Sequence, residues 1–73
     1  MTCFAVFHQS KQLRVFAYQF NSFRDRERAK RLAHEMADQN HAAGYPCDVE
    51  EFGLSGVGCT VYRTAPLTTQ TGE

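Results

Sequence analysis

Apolar positions recur along this chain with two different periods. Residues 2–8 carry the strand formers Phe4, Val6 and Phe7, and residues 13–20 carry Val15, Phe16, Tyr18 and Phe20. Both runs read as β-strands, with the polar stretch His8-Gln9-Ser10-Lys11-Gln12 as the hairpin loop between them. In the second run Leu13, Val15 and Ala17 point one way and Phe16, Tyr18 and Phe20 the other. Both faces are apolar, so the pair is expected to be covered on both sides.

Over residues 21–46 the period changes to that of a helix. Ala29, Leu32, Ala33, Met36, Ala37, Asn40 and Ala43 fall on one face, and the alanines allow a close approach to a sheet. Ser22 followed by Asp25 predicts a capping box at the start. Gly44 and Pro46 predict the stop. Residues 47–52 and 57–63 then alternate as two further strands around the turn Gly53-Leu54-Ser55-Gly56. Cys47, Val49, Val57, Cys59 and Val61 are expected to face the core, with Asp48, Glu50, Thr60 and Tyr62 opposite. The expected fold is an α+β domain of ββαββ order over residues 1–63, a four-stranded antiparallel sheet with one helix on one face. Residues 64–73, polar and with Pro66 and Gly72, read as a disordered tail. The face away from the helix is expected to carry Phe16, Tyr18 and Tyr62, or the alternate set. A second copy, a target protein or stacked bases are the candidates to cover it.

A chain of 73 residues buries only about 60% of its unfolded surface, so its core is marginal without a staple or partner. The three cysteines, Cys3, Cys47 and Cys59, show no disulfide framework. The first residues lack the pattern of a signal peptide, and no run approaches the roughly 18 apolar residues of a membrane span. A cytoplasmic protein with free thiols and no membrane partner is the expectation.

Net charge is zero but segregated. Residues 1–36 hold seven Lys/Arg and three Asp/Glu, while residues 37–73 hold one and five. Five of the eight cations lie between Arg24 and Arg31. Arg24, Arg28 and Arg31, with Lys30 beside them, form a basic helix stripe able to grip carboxylates or phosphates in bidentate fashion. The plain alternative is a solvated face laced by the pairs Glu27–Arg31 and Arg31–Glu35. The candidate partner-binding residues are therefore Arg24, Arg28, Lys30, Arg31, Phe16, Tyr18 and Tyr62.

Other chemistry finds little support. His34 and His41 lie seven apart rather than four, and no Cys-x-x-Cys pair exists, so no metal is expected. Ser55 lacks the Gly-x-Ser-x-Gly setting of a nucleophile elbow. Cys47 and Cys59 fall in predicted strands, away from a helix N-terminus that would activate a thiol. No phosphate loop or dinucleotide fingerprint occurs, so neither cofactor nor catalysis is expected.

Two resemblances bear on function. Phe20-Asn21-Ser22-Phe23, Glu27-Arg28-Ala29-Lys30-Arg31-Leu32-Ala33 and Ala42-Ala43-Gly44-Tyr45-Pro46 are similar to the first repeat of SPOR domains, which bind denuded peptidoglycan glycan strands. That similarity covers about a third of the chain, and the second helix of that family has no counterpart here. In size, element order and lack of catalytic residues the chain also resembles small phage and mobile-element proteins, some anti-CRISPR proteins among them. Those act by occluding a surface of a larger, often nucleic-acid-bound, effector complex. The expectation is a non-enzymatic inhibitor or binding module with a protein target, in a homodimeric state. The alternatives are a regulator binding nucleic acid directly through the basic helix, and a structural subunit.

Overall fold

The computed structural model describes residues 2–64. Its elements are β1 (Thr2–His8), β2 (Lys11–Tyr18), α1 (Phe23–Ala42), β3 (Asp48–Phe52) and β4 (Gly58–Arg63). The four strands form one antiparallel sheet in the order β2-β1-β3-β4, so the expected ββαββ plan is the observed one. β1 and β3 are central, and β2 and β4 are edges. The connection from β2 to β3 crosses over β1 and carries α1, which leans on the β1–β2 half of the sheet. Thr64 belongs to this body. Its N–H donates to the Cys47 carbonyl at 3.0 Å, and its hydroxyl oxygen accepts from the Cys47 N–H at 2.9 Å. The expected disordered tail otherwise lies outside the described residues.

The first hairpin closes more tightly than its polar stretch implied. Only Gln9 and Ser10 form the loop, with φ of 51° and 68°. Two successive left-handed residues make the mirror-image turn whose twist matches the flanking strands. Lys11 and Gln12 therefore start β2, and the strand ends at Tyr18 rather than at residue 20.

Register assigns the faces. Opposed residues share a face, so Thr2/Tyr18, Phe4/Phe16, Phe4/Glu51, Val6/Val49 and Val49/Tyr62 lie on the helix side. Phe4, Val6 and Val49 are fully buried there, with Cys47, against Ala29, Ala33 and Ala37 of the helix. Along the Ala29–Ala33–Ala37 line the helix contributes only methyl groups, so large side chains from the sheet fill the space. Phe16, Tyr18, Met36 and Tyr62 close the rim. The other sheet face pairs Cys3/Ala17, Ala5/Val15, Cys3/Phe52 and Glu50/Thr60.

Two expectations about facing are corrected by this register. Phe16, Tyr18 and Tyr62 lie beneath or beside the helix, and the uncovered face carries the alternate set, with Leu13 and Val15 exposed. Val57, Cys59 and Val61 are exposed rather than core. On β4 Cys59 opposes Glu51 and so keeps the helix-side face, exposed at the edge away from α1, whereas Val61 is displaced by a bulge. Val49 pairs with Tyr62 but Glu50 with Thr60, so Val61 is an extra residue and Tyr62 comes into phase with Val49. A one-residue slip exchanges the two faces of a strand. A second bulge, between Val6 and Phe7, makes Leu13 the extra residue on β2.

The helix ends follow their caps. The Ser22 side chain accepts from the Asp25 N–H at 3.2 Å. The Asp25 carboxylate does not complete the box at Ser22 but accepts from the Gln19 N–H at 2.8 Å. At the other end Gly44 has φ +100°. The Gly44 N–H donates to the His41 carbonyl and the Tyr45 N–H to the Asn40 carbonyl. This double reach-back is a Schellman motif, which needs the left-handed residue that glycine supplies without a steric penalty.

Candidate functional site: the basic flank of the helix

Successive helix residues turn by roughly 100°, which sorts the side chains of α1 into sectors around the buried Ala29–Ala33–Ala37 line. Arg26 falls inside the core sector. Lys30, His34 and Asp38 fall on the flank facing β4. Arg24, Arg31 and Glu35 form the crest. Arg28, Leu32, Met36 and Gln39 fall on the flank facing β2.

The core sector holds a polar clamp. Arg26 Nε and Nη2 donate to Glu51 Oε2 and Oε1 at 2.8 and 2.9 Å, and the Tyr18 hydroxyl donates to Glu51 Oε2. The Arg26 guanidinium lies 5.5 Å from the Phe4 ring centre. The bidentate guanidinium holds the Glu51 carboxyl below its ordinary value, and it in turn is held more firmly protonated by that carboxylate. Burial, then the bond to Glu51, pushes the Tyr18 phenol up. Every charge in the clamp is matched, so it fastens α1 to β1, β2 and β3 and offers no free group to a ligand.

The β4 flank is also closed. His34 stacks on Tyr62 with ring centres 4.1 Å apart, and the Tyr62 hydroxyl donates to Asp38 Oδ1 at 2.6 Å. That bond raises the Tyr62 phenol. His34 Nε2 is buried without a hydrogen-bond partner among the described residues. Burial, then Lys30, lowers its basicity, with Asp38 opposing. Lys30 itself pairs with Glu27 at 3.4 Å.

The β2 flank is open. At its head a cleft of about 520 Å³ is lined by Gln19, Ser22, Arg24, Asp25 and Arg28. Phe20 and Phe23 stand exposed at this end of the helix. Further along, a second cleft of about 420 Å³ runs between the helix and the edge strand. Phe16, Leu32 and Met36 give it apolar walls, and Arg14, Glu35, Gln39 and Asn40 give it polar ones. Arg14 lies over the Phe16 ring at 5.4 Å. The helix leaves this space because Leu32 and Met36 sit beside, not above, the alanine line.

The ion pairs on the helix differ from those the spacing implied. Glu27 pairs with Arg26 at 3.2 Å and with Lys30, not with Arg31. Arg28 takes Asp25 at 3.0 Å. The bond from the Gln19 N–H, then Arg28, holds the Asp25 carboxyl low. Among the described residues, Arg24 and Arg31 have no carboxylate within ion-pair distance. The solvated salt-bridge ladder is therefore only half built, and two exposed guanidiniums remain uncompensated on the crest.

The structure thus brings Arg28 and Phe16 to one flank, with Arg24 and Arg31 above them on the crest and Arg24 reaching the first cleft. It places Lys30 and Tyr62 on the opposite flank and Tyr18 in the clamp. Arg14, Leu32 and Met36 join the site unforeseen. Leu32 and Met36 were legible as an i, i+4 apolar pair, but the strand that meets them is fixed only by the β1–β2 register.

Among the described residues, no group of three or more His, Cys, Asp or Glu is placed to hold a metal, and no helix is long and apolar enough to cross a membrane. Cys47 is buried, Cys3 half-buried and Cys59 exposed, and all three are free thiols. No family model, curated protein or solved structure matches the chain.

Proposed function

We propose that this protein is a non-catalytic binding module that docks a protein partner on the crest and β2 flank of α1. One observation carries the reading. Arg24 lines one open cleft and Arg14 lines the other, apolar-walled one, neither with a carboxylate in ion-pair distance among the described residues, while the charged groups of the core sector and the β4 flank are spent on internal contacts. Arginine with aromatic and apolar neighbours is the composition that dominates binding hot spots. Charge at the rim steers the encounter and fixes orientation. An inhibitor that occludes a larger complex, of the anti-CRISPR kind, would be a binder of this type.

The nucleic-acid reading has less support from the geometry. Phe16, Tyr18 and Tyr62 pack against the core rather than standing free for base stacking, and the uncovered sheet face carries Glu50 and Asp48, the latter paired with Arg63. Base-stacking sheets present open aromatics and a phosphate-attracting surround.

A photo-crosslinking amino acid placed at Arg31, with Thr60 on the uncovered sheet face as control, tests the proposal in cells that express the chain. A polypeptide adduct formed from position 31 and absent from position 60 is the expected result. Adducts only to nucleic acid, or the same adducts from both positions, would overturn it.

A further inference from the structure

The free edge of β2 and the cleft beside it run together, and this juxtaposition says how a partner docks. β2 has eight residues, Lys11–Tyr18, a length of about 26 Å at some 3.3 Å per residue. β1 occupies one side of it, and nothing among the described residues occupies the other. Every second residue of β2 turns its N–H and C=O groups away from β1. Such an edge is a template for another strand unless it is short, covered, or guarded by proline, lysine or a bulge. β2 is long, uncovered and free of proline, its lysine and its bulge both lie at the Lys11–Leu13 end, and beyond them it runs regularly through Arg14, Val15, Phe16, Ala17 and Tyr18.

Charge decides the occupant. Lys11 and Arg14 on β2 and Arg24, Arg28 and Arg31 on the helix surround this side of the molecule, against Asp25 and Glu35. Asp25 and Arg28 already hold each other, and the remaining four cations against Glu35 favour an acidic segment. A second copy is a poorer match, because β2 paired antiparallel with its own copy sets Lys11 opposite Tyr18 and Arg14 opposite Val15 and brings no carboxylate to these cations. The opposite edge, β4, has no comparable groove, since Tyr62 closes its helix side against His34 and Asp38.

We propose that an acidic, extended segment of a partner protein adds to β2 as a fifth strand. Its acidic side chains reach Arg14, Arg24 and Arg28 along the α1/β2 groove, and its alternate apolar side chains lie beside Leu13, Val15 and Ala17 on the uncovered face. The inference rests on the protein-binding reading above and specifies its mode, in which main-chain hydrogen bonds give affinity and alternate side chains give specificity.

The test uses the full chain and a labelled heptapeptide alternating glutamate with valine, read by fluorescence anisotropy. Two N-methylated isomers accompany it, one blocked at the valines and one at the glutamates, with a lysine-for-glutamate control. In strand addition only one alternate set of peptide N–H groups faces β2. One isomer should therefore lose about tenfold or more in affinity while the other keeps it, and the lysine peptide should not bind. Equal binding by both isomers would overturn strand addition while leaving a charge-driven contact on the crest, and hence the broader proposal, standing. No binding up to millimolar peptide, or occupation of the edge by self-association in light scattering, would also overturn the inference. The crosslinking experiment at Arg31 decides the broader proposal independently.

Discussion

Removing the Glu51 charge should loosen the helix from the sheet more than its position near the surface implies. In Glu51→Gln the bidentate acceptor of Arg26 becomes a neutral amide, and the Tyr18 hydroxyl loses its charged partner. An exposed ion pair contributes about 0.2–1 kcal/mol, whereas breaking a buried one costs about 3–5 kcal/mol. Here the Arg26 side chain is 34% exposed and that of Glu51 19%. Solvent screens the pair in part, so a loss of about 2 kcal/mol is expected. In a domain of this size that lowers Tm by about 8–16 °C. A double-mutant cycle with Arg26→Met isolates the interaction, with a coupling of about 1.5 kcal/mol by urea denaturation. The pH dependence has a definite sign. The folded Glu51 carboxyl lies below its ordinary value of 4.5, so its contribution is complete above that value and is lost as pH falls through the lower, folded one. The gap between wild type and variant should therefore be constant near neutrality and close in acid. A coupling below about 0.5 kcal/mol, in the range of an exposed pair, would refute the assignment of the clamp as the fastening of α1.

Other perturbations probe separate parts of the fold. Gly44→Ala forces a side chain into φ +100° and should cost about 1–2 kcal/mol by denaturant melts, with Gly44→Asn costing less. Ala33→Leu inserts three carbons at a fully buried position between helix and sheet, and thermal unfolding should show a loss of about 1–3 kcal/mol. His34 is held below its free value of 6.5 by burial, so wild-type stability should fall as pH drops below that value. His34→Phe, which keeps a ring against Tyr62, should flatten this limb between about pH 7 and pH 5, leaving the Glu51 limb in place.

The fold was largely legible because its signals are local. The helix start, the alanine line and the Gly44–Pro46 stop are read from neighbouring residues, and each acts at that range. Strand facing was not, because a period-2 pattern fixes a face only while the register is unbroken. β2 is apolar on both sides, so Leu13–Val15–Ala17 and Phe16–Tyr18 compete as inward sets with nothing local to choose between them. On β4 the extra residue Val61 reverses the assignment of Tyr62, and the bulge exists only in relation to Val49 and Glu50 across the strand pair. The candidate site divides in the same way. Arg24 and Arg31 share the crest, with Arg28 on the adjoining flank, by helix geometry alone. The groove that gives them meaning needs Arg14 and Phe16, brought alongside by a hairpin whose loop is two residues rather than five. Arg26 and Glu51 were invisible as a pair because they meet across 25 residues of sequence.

If a partner docks on the β2 flank, the backbone amides of that flank report it. A ¹H–¹⁵N correlation titration of the full chain with the glutamate–valine heptapeptide tests this docking most directly. Docking there predicts shifts concentrated in Lys11–Tyr18 and in Arg24, Arg28, Leu32 and Met36, with His34, Tyr62 and Phe52 unmoved. Shifts centred on the uncovered face around Cys3, Ala5 and Phe52, or on the β4 flank around Lys30 and His34, would contradict it.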